Sequence, residues 1–273
     1  MKELTTRAIS GALYVTLLIT SLLAQELLFV VLLVFGLLCI AEFNNLIKLR
    51  SRLSYFIFSI IYLGFGYLML YSPFSEEGAD AIQIYLVTTI FVNLILLKDL
   101  LSESTIPLFD SKQFILVTFY LTSGFVFMLM IANYQNQFTP LLLLGSFILV
   151  WVNDSFAYLI GKNFGKQKLF PRISPKKTVE GFLGGLFFSC IASYFIARFT
   201  HTLEFSNWLI LSIIISVIGT LGDLIESKFK RQANVKDSGV IMPGHGGLLD
   251  RLDSIIFASP FIYLFLRVIN YVS

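Results

Sequence analysis

The sequence predicts an all-α, polytopic integral membrane protein, and three observations carry that prediction. Of its 273 residues 56% are hydrophobic and only 14% charged, with a mean hydropathy of +0.81, far from the composition of soluble domains. Apolar runs of roughly 17 to 22 residues recur along the chain, each able to cross the ~30 Å hydrocarbon core at about 1.5 Å rise per residue. None of these runs alternates polar and apolar residues as a membrane barrel would, so helices are the spanning elements.

About nine runs qualify. The first, 8–24, follows Lys2 and Arg7 as a secretory signal would, but its length and the apolar run directly behind it predict a retained helix. Runs 27–47, 53–71 and 81–97 come next, with a turn-like loop at 73–80. Runs 114–133 and 140–160 flank a second such loop, and 181–199, 207–222 and 252–270 complete the set. If the first helix enters from the cytoplasm, 18 of the 20 lysines and arginines fall on that side, leaving only Arg198 and Arg267 outside. The positive-inside rule then predicts a cytoplasmic N-terminus in a cell membrane and, for an odd span count, an outer C-terminus. Cys39 and Cys190 lie in separate apolar runs and imply neither a disulfide nor a metal site.

The character of the chain changes near residue 140. Residues 1–139 carry few ionisable groups within their spans and read as a transmembrane scaffold or oligomerisation region. Residues 140–273 add Asn153 and Asp154 inside an apolar run and two long cytoplasmic segments of mixed charge, and read as the catalytic region. The spacings Gly181 to Gly185 and Ser216 to Gly219 to Gly222 predict close helix crossings. There is no internal repeat of the kind that marks inverted-repeat transporters.

The carboxylates gather at one face. Asp154 nears the cytoplasmic end of the sixth run, Asp223 closes the eighth, and Asp250 and Asp253 open the ninth. Ionised carboxylates ~4 Å apart repel by about 4 kcal/mol at an effective dielectric of 20, so such a cluster needs protons, lysines or a cation. Oxygen-only donors favour Mg²⁺ over zinc, with Asp223, Asp250 and Asp154 as its candidate ligands. Asp253 stands at a helix start, where a capping carboxylate is an equal alternative. Asp223 and Glu226 share a helix face, as do Asp250 and Asp253.

Cations surround them. Lys176 and Lys177 sit in ISPKKTVEG, where Ser174 or Thr178 caps the following helix, and Lys228, Lys230, Arg231 and Lys236 follow the eighth run. Arg251 adjoins Asp250, and Asp237 lies among the lysines. Gly244, Gly246 and Gly247 allow positive φ and a close backbone approach to phosphate. His245 between them suits a phosphate contact, an acid, or a structural hydrogen bond. No Walker A spacing is present, because Gly161 to Lys166 lacks both the interval and a following Ser or Thr. These residues alone describe a Mg²⁺-dependent enzyme handling phosphate groups at the inner leaflet, with no nucleic-acid partner expected.

The segment SKFKRQANVKDSGVIMPGHGGLLDRLD, residues 227–253, resembles the signature of the phosphatidate cytidylyltransferase (CDP-diacylglycerol synthase) family. It departs only at Met242, where the family is expected to carry Leu, Ile or Phe. The resemblance extends to WVNDSFAYLIGKNFGKQKLFPRISPKKTVEG and to GDLIESKFKR, so it covers mainly the C-terminal half. It implies transfer of a cytidylyl group from CTP to phosphatidic acid, giving CDP-diacylglycerol and pyrophosphate. It further implies Mg²⁺, with a monovalent cation as an open addition, and a homodimer in the lipid bilayer. The implied catalytic residues are Asp223, Asp250, Lys176, Lys228 and Arg251. The implied substrate contacts are Asn153, Ser174, Lys177, Lys230, Arg231, Lys236, Asp237, Gly244, His245, Gly246, Gly247 and Asp253. Two rival functions stand beside it: a CTP-dependent lipid kinase, and an ion transporter using Asp154 and Asp223.

Overall fold

A computed structural model describes residues 2–71, 76–102, 105–244 and 246–272. Helices α1 (Lys2–Ser21), α2 (Gln25–Leu46), α3 (Leu53–Tyr71) and α4 (Glu76–Leu101) build the first half, followed by the short α5 (Pro107–Ser111). Next, α6 (Gln113–Leu116) runs through a π-helical turn (Val117–Thr122) into α7 (Ser123–Ala132). The second half holds α8 (Pro140–Phe164), strands β1 (Lys168–Phe170) and β2 (Ser174–Thr178), then α9 (Val179–Thr200), α10 (Phe205–Gln232) and α11 (Leu249–Val272).

Among the described residues seven helices are long and apolar enough to cross a membrane, and Leu53–Met69 is a shorter apolar helix. The remaining predicted run, 8–24, falls within α1 and the turn after it. The chain is therefore an all-α, multi-pass membrane protein with one addition. The antiparallel pairing of Lys168 with Thr178 and Phe170 with Ser174 forms a small hairpin in a segment the sequence left unassigned. Charged residues there hide the strand pattern, and only local pairing reveals it. The eighth run was drawn to Gly222, but α10 continues to Gln232, because the polar turn after Gly222 is still helical and carries buried Glu226 and Lys228.

The core centres on α7, all ten of whose residues are buried. Its π-helical entry is closed by the Thr122 hydroxyl donating to the Val117 carbonyl, 2.7 Å away. Around it α8 and α9 cross closely, as the glycine spacing predicts: a Cβ at Gly181 would lie 2.6 Å from the Ala157 oxygen, and one at Gly185 2.6 Å from the Asn153 oxygen. Helices α10 and α11 form a second tight seam, where a Cβ at Gly222 would lie 2.5 Å from that of Phe257. Large apolar side chains such as Leu13, Phe56, Phe91, Phe187 and Phe199 point outward, as lipid contact requires.

The basic segments meet at one end of the bundle. Ser10 donates to the Pro243 carbonyl (3.0 Å), Gln113 to that of Ile47 (2.6 Å), and the Ile106 N–H to Gln232 (3.1 Å). At the other end Gln135 bonds Asn270 (2.9 Å) and the Tyr134 hydroxyl donates to the Leu266 carbonyl (3.3 Å).

Candidate active site

Three elements of the basic end bring carboxylates near one another. Asp154 comes from the second half of α8, Asp223 from α10 and Asp253 from the second turn of α11. Asp223 lies close enough to bear on the Asp154 carboxylate, and both lie close enough to bear on that of Asp253. Asp154 is exposed, whereas Asp253 is buried. The neutralising charges come from two other places. Lys177 at the end of β2 pairs with Asp223 at 2.6 Å, and Lys177 and Arg251 both bear on Asp154.

Local sequence explains how Lys177 arrives there. Thr178 caps α9 by accepting the Gly181 N–H at 3.1 Å, fixing the strand-to-helix corner just after Lys177. On the far side of the corner Glu180 accepts the N–H groups of Lys166 (3.0 Å) and Gln167 (3.1 Å), tying the hairpin back to α9. Behind Asp154, Asn153 is buried, donating weakly to Asp154 (3.3 Å) and to Thr220 (3.5 Å).

A second cluster lies one helical turn nearer the basic end. Asp250 and Asp253 are three residues apart on α11, about 4.5 Å of rise. Lys230 pairs with Asp250 at 2.7 Å and also with Glu226, whose carboxylate is fully buried. Asp250 further accepts the N–H groups of Gly247 (2.7 Å) and Ser238 (3.0 Å), which saturates both of its oxygens. Asp223 and Asp250 thus lie at the same end, on adjacent antiparallel helices, with different partners.

Several predicted residues sit elsewhere. Lys228 is buried and donates to the Asp99 (2.5 Å) and Ser102 (2.9 Å) carbonyls, closing the C-terminal end of α4. Arg231 donates to the Ile173 carbonyl (3.2 Å), linking α10 to the hairpin. Ser174 opens β2, and Lys176, Lys236 and Asp237 are exposed at the rim. Gly244 and Gly246 have φ of +77° and +90°, the left-handed region that favours glycine. The N–H of Gly247, expected to approach phosphate, is given to Asp250 instead. His245 lies outside the described residues.

Among the described residues no three Asp, Glu, His or Cys side chains converge as a ready-made metal cage. The donor chemistry nonetheless suits Mg²⁺, which keeps several waters and is usually held by one or two carboxylates plus phosphate oxygens. Asp223, flanked by Asp154 and Asp253, offers that: oxygen donors whose mutual repulsion a divalent ion would relieve.

Sequence reasoning passed over Glu42. This α2 residue is 3% exposed, and its carboxylate accepts the N–H groups of Leu248 (3.1 Å) and Leu249 (2.8 Å) at the start of α11. A signal existed, since Glu42 is an ionisable residue within an apolar run.

The sequence profile of the Cytidylyltransferase family matches residues 5–269. A phosphatidate cytidylyltransferase of Bacillus subtilis (strain 168) is 39% identical over 202 residues, 73% of this chain and 73% of that protein. One from Staphylococcus aureus (strain COL) is 42% identical over 176 residues, 63% of this chain and 65% of its own. A third, from Staphylococcus saprophyticus, is 39% identical over 205 residues, 74% of this chain and 76% of its own.

Proposed function

The chain belongs to the cytidylyltransferase family, and on that premise we propose that it transfers the cytidylyl group of CTP to phosphatidic acid, forming CDP-diacylglycerol and pyrophosphate. The observation that carries the reading is the charge cluster at the basic end, where Asp154, Asp223 and Asp253 lie near Lys177 and Arg251. An oxygen of the lipid phosphate attacks the α-phosphorus of CTP, the bond from that phosphorus to the β-phosphate bridging oxygen breaks, and pyrophosphate leaves. The lipid phosphate is a monoester with a second pKa near ~6, so the nucleophile is already largely dianionic at neutral pH and needs no strong base.

The obstacle is repulsion between two polyanions, and this chain's residues address it. Lys177 and Arg251 sit beside the clustered carboxylates, where they neutralise phosphate oxygens as the reactants approach. Lys176 at the exposed rim adds charge for the incoming nucleotide. Lys230, held by Glu226 and Asp250, ties α10 to the first turn of α11, which carries Arg251. When bound, Mg²⁺ would supply charge neutralisation between triphosphate and lipid phosphate, with Asp223 as its first ligand and Asp154 and Asp253 beside it. Asp250, the other ligand expected from sequence, would join only by releasing Lys230 or a backbone N–H.

The asymmetry of basic residues supports a cytosolic orientation for this end, where CTP arrives from water and phosphatidate from the inner leaflet. A homodimer is the proposed assembly, testable by light scattering in detergent. The deciding assay incubates purified protein with phosphatidate, CTP and Mg²⁺. CDP-lipid and pyrophosphate in equal amounts support the reading. Release of CDP with phosphorylation of a lipid alcohol would replace it with a kinase, and ion flux in sealed vesicles without nucleotide would replace it with a transporter.

A further inference from the structure

We infer that Glu42, on the second helix of the N-terminal half, is a positioning residue for the catalytic segment: its carboxylate fixes Gly239 and the stretch from Gly247 to Leu249 so that Asp250 and Asp253 face α10. The inference deepens the proposed function and rests on it.

The geometry is that of one anion enclosed by a loop. The Glu42 oxygens accept the Leu248 N–H at 3.1 Å and the Leu249 N–H at 2.8 Å, and the Ile241 N–H is directed at the same carboxylate. Leu248 and Leu249 open α11, whose first N–H groups have no partner within the helix. A helix start of that kind attracts an anion, and here the anion comes from another part of the chain. The loop has also been cut to the shape of this carboxylate. A Cβ on Gly239 would lie 2.2 Å from Glu42 Oε1, and one on Gly247 2.6 Å from Glu42 Oε2. These two glycines make room for a side chain where the sequence suggested room for a phosphate.

Directly beyond the bonded pair come Asp250, Arg251 and Asp253. Asp250 takes the neighbouring Gly247 and Ser238 N–H groups, so the two carboxylates together hold both sides of the turn. Freeing the first turn of α11 shifts those side chains relative to Asp223 and Lys177. A displacement near 1 Å at a reacting centre can cost on the order of 10²-fold in rate.

The test uses full-length protein in detergent with Glu42→Ala, Glu42→Gln, Gly239→Ala and the double variant Glu42→Ala with Gly239→Ala. Glu42→Gln places an amide N–H₂ against one backbone donor, so it should not rescue. Both Glu42 variants should lower kcat by about 10- to 100-fold and leave the KM for phosphatidate within about twofold. They should also speed hydrogen exchange at Leu248 and Leu249 without speeding it in the middle of α10. Gly239→Ala drives the carboxylate from its seat and should show the same pattern. Adding it to Glu42→Ala should cost nothing further, because the methyl then enters vacated space.

Slow exchange at Leu248 and Leu249 in Glu42→Ala, turnover of Glu42→Gln within about threefold of wild type, or additive losses in the double variant would each overturn the inference. If Glu42→Ala does not fold, Gly239→Ala decides, and wild-type kcat in that variant refutes it. Absence of CDP-lipid synthesis by the wild type would instead remove the proposed function, leaving the exchange readout to judge the loop contact separately.

Discussion

Lys177→Met should tighten divalent-cation binding while slowing turnover, a pairing of effects that few other substitutions would give. Lys177 Nζ lies 2.6 Å from Asp223 Oδ2, with the side chains 26% and 30% exposed. Two unit charges at that separation attract by about 1.6 kcal/mol in water and about 6 kcal/mol at an effective dielectric of 20. Partial exposure and the cost of holding a long side chain reduce the net value to about 1 kcal/mol. A cation binding at Asp223 must displace that ammonium or share the carboxylate with it. Removing the lysine therefore returns about 1 kcal/mol to the cation, which is roughly fivefold in affinity. Turnover should fall on the order of 10²-fold, because a preorganised cation is lost from the phosphate site. Mn²⁺ binding followed by electron paramagnetic resonance, without nucleotide, reads the first effect, and CDP-lipid formation at saturating Mg²⁺ reads the second. Cation binding no tighter than wild type would refute the competition between Lys177 and metal at Asp223.

Asp223→Asn and Asp250→Asn should both abolish turnover but differ in stability. Asp250, 6% exposed and paired to Lys230, costs about 3–5 kcal/mol to neutralise, against about 1 kcal/mol for the more exposed Asp223. A melting temperature lower for Asp223→Asn than for Asp250→Asn in a detergent melt would reverse that assignment. Lys228→Met should destabilise by about 1–3 kcal/mol by orphaning the Asp99 and Ser102 carbonyls; an unchanged melting temperature would contradict the clamp on α4. Gly222→Ala should cost about 1–3 kcal/mol and lower kcat by prising α10 from Phe257 beside Asp253, and a variant normal in both would show the seam to be loose.

The spanning helices were legible because lipid demands long apolar runs, a signal that survives without any partner information. The cap at Thr178 was legible for a similar reason, since the N–H that it accepts lies three residues away in sequence. Helix ends in the polar segment were not. The apolar run stops at Gly222 and only the Asp223 and Glu226 spacing hints at a further turn, yet α10 continues to Gln232 with Glu226 and Lys228 buried. The gathering of Asp154, Asp223 and Asp253 at one end followed from topology, but their partners did not. Which lysine reaches which carboxylate depends on a hairpin whose strands are mostly polar. Lys228 shows the limit from the other direction: it belongs to the signature segment, and its ammonium faces the end of α4. Glu42 escaped because its partners lie 206 and 207 residues away, beyond any local pattern.

That separation bears on how the protein is made. Glu42 enters the bilayer while the residues that will surround its carboxylate have yet to be synthesised, and a charged group without partners is costly at membrane depth. The contacts that enclose it can close only once α11 has been synthesised and offers its N–H groups, 206 and 207 residues after Glu42. Seating of α2 against the catalytic end is consequently a step that waits on α11.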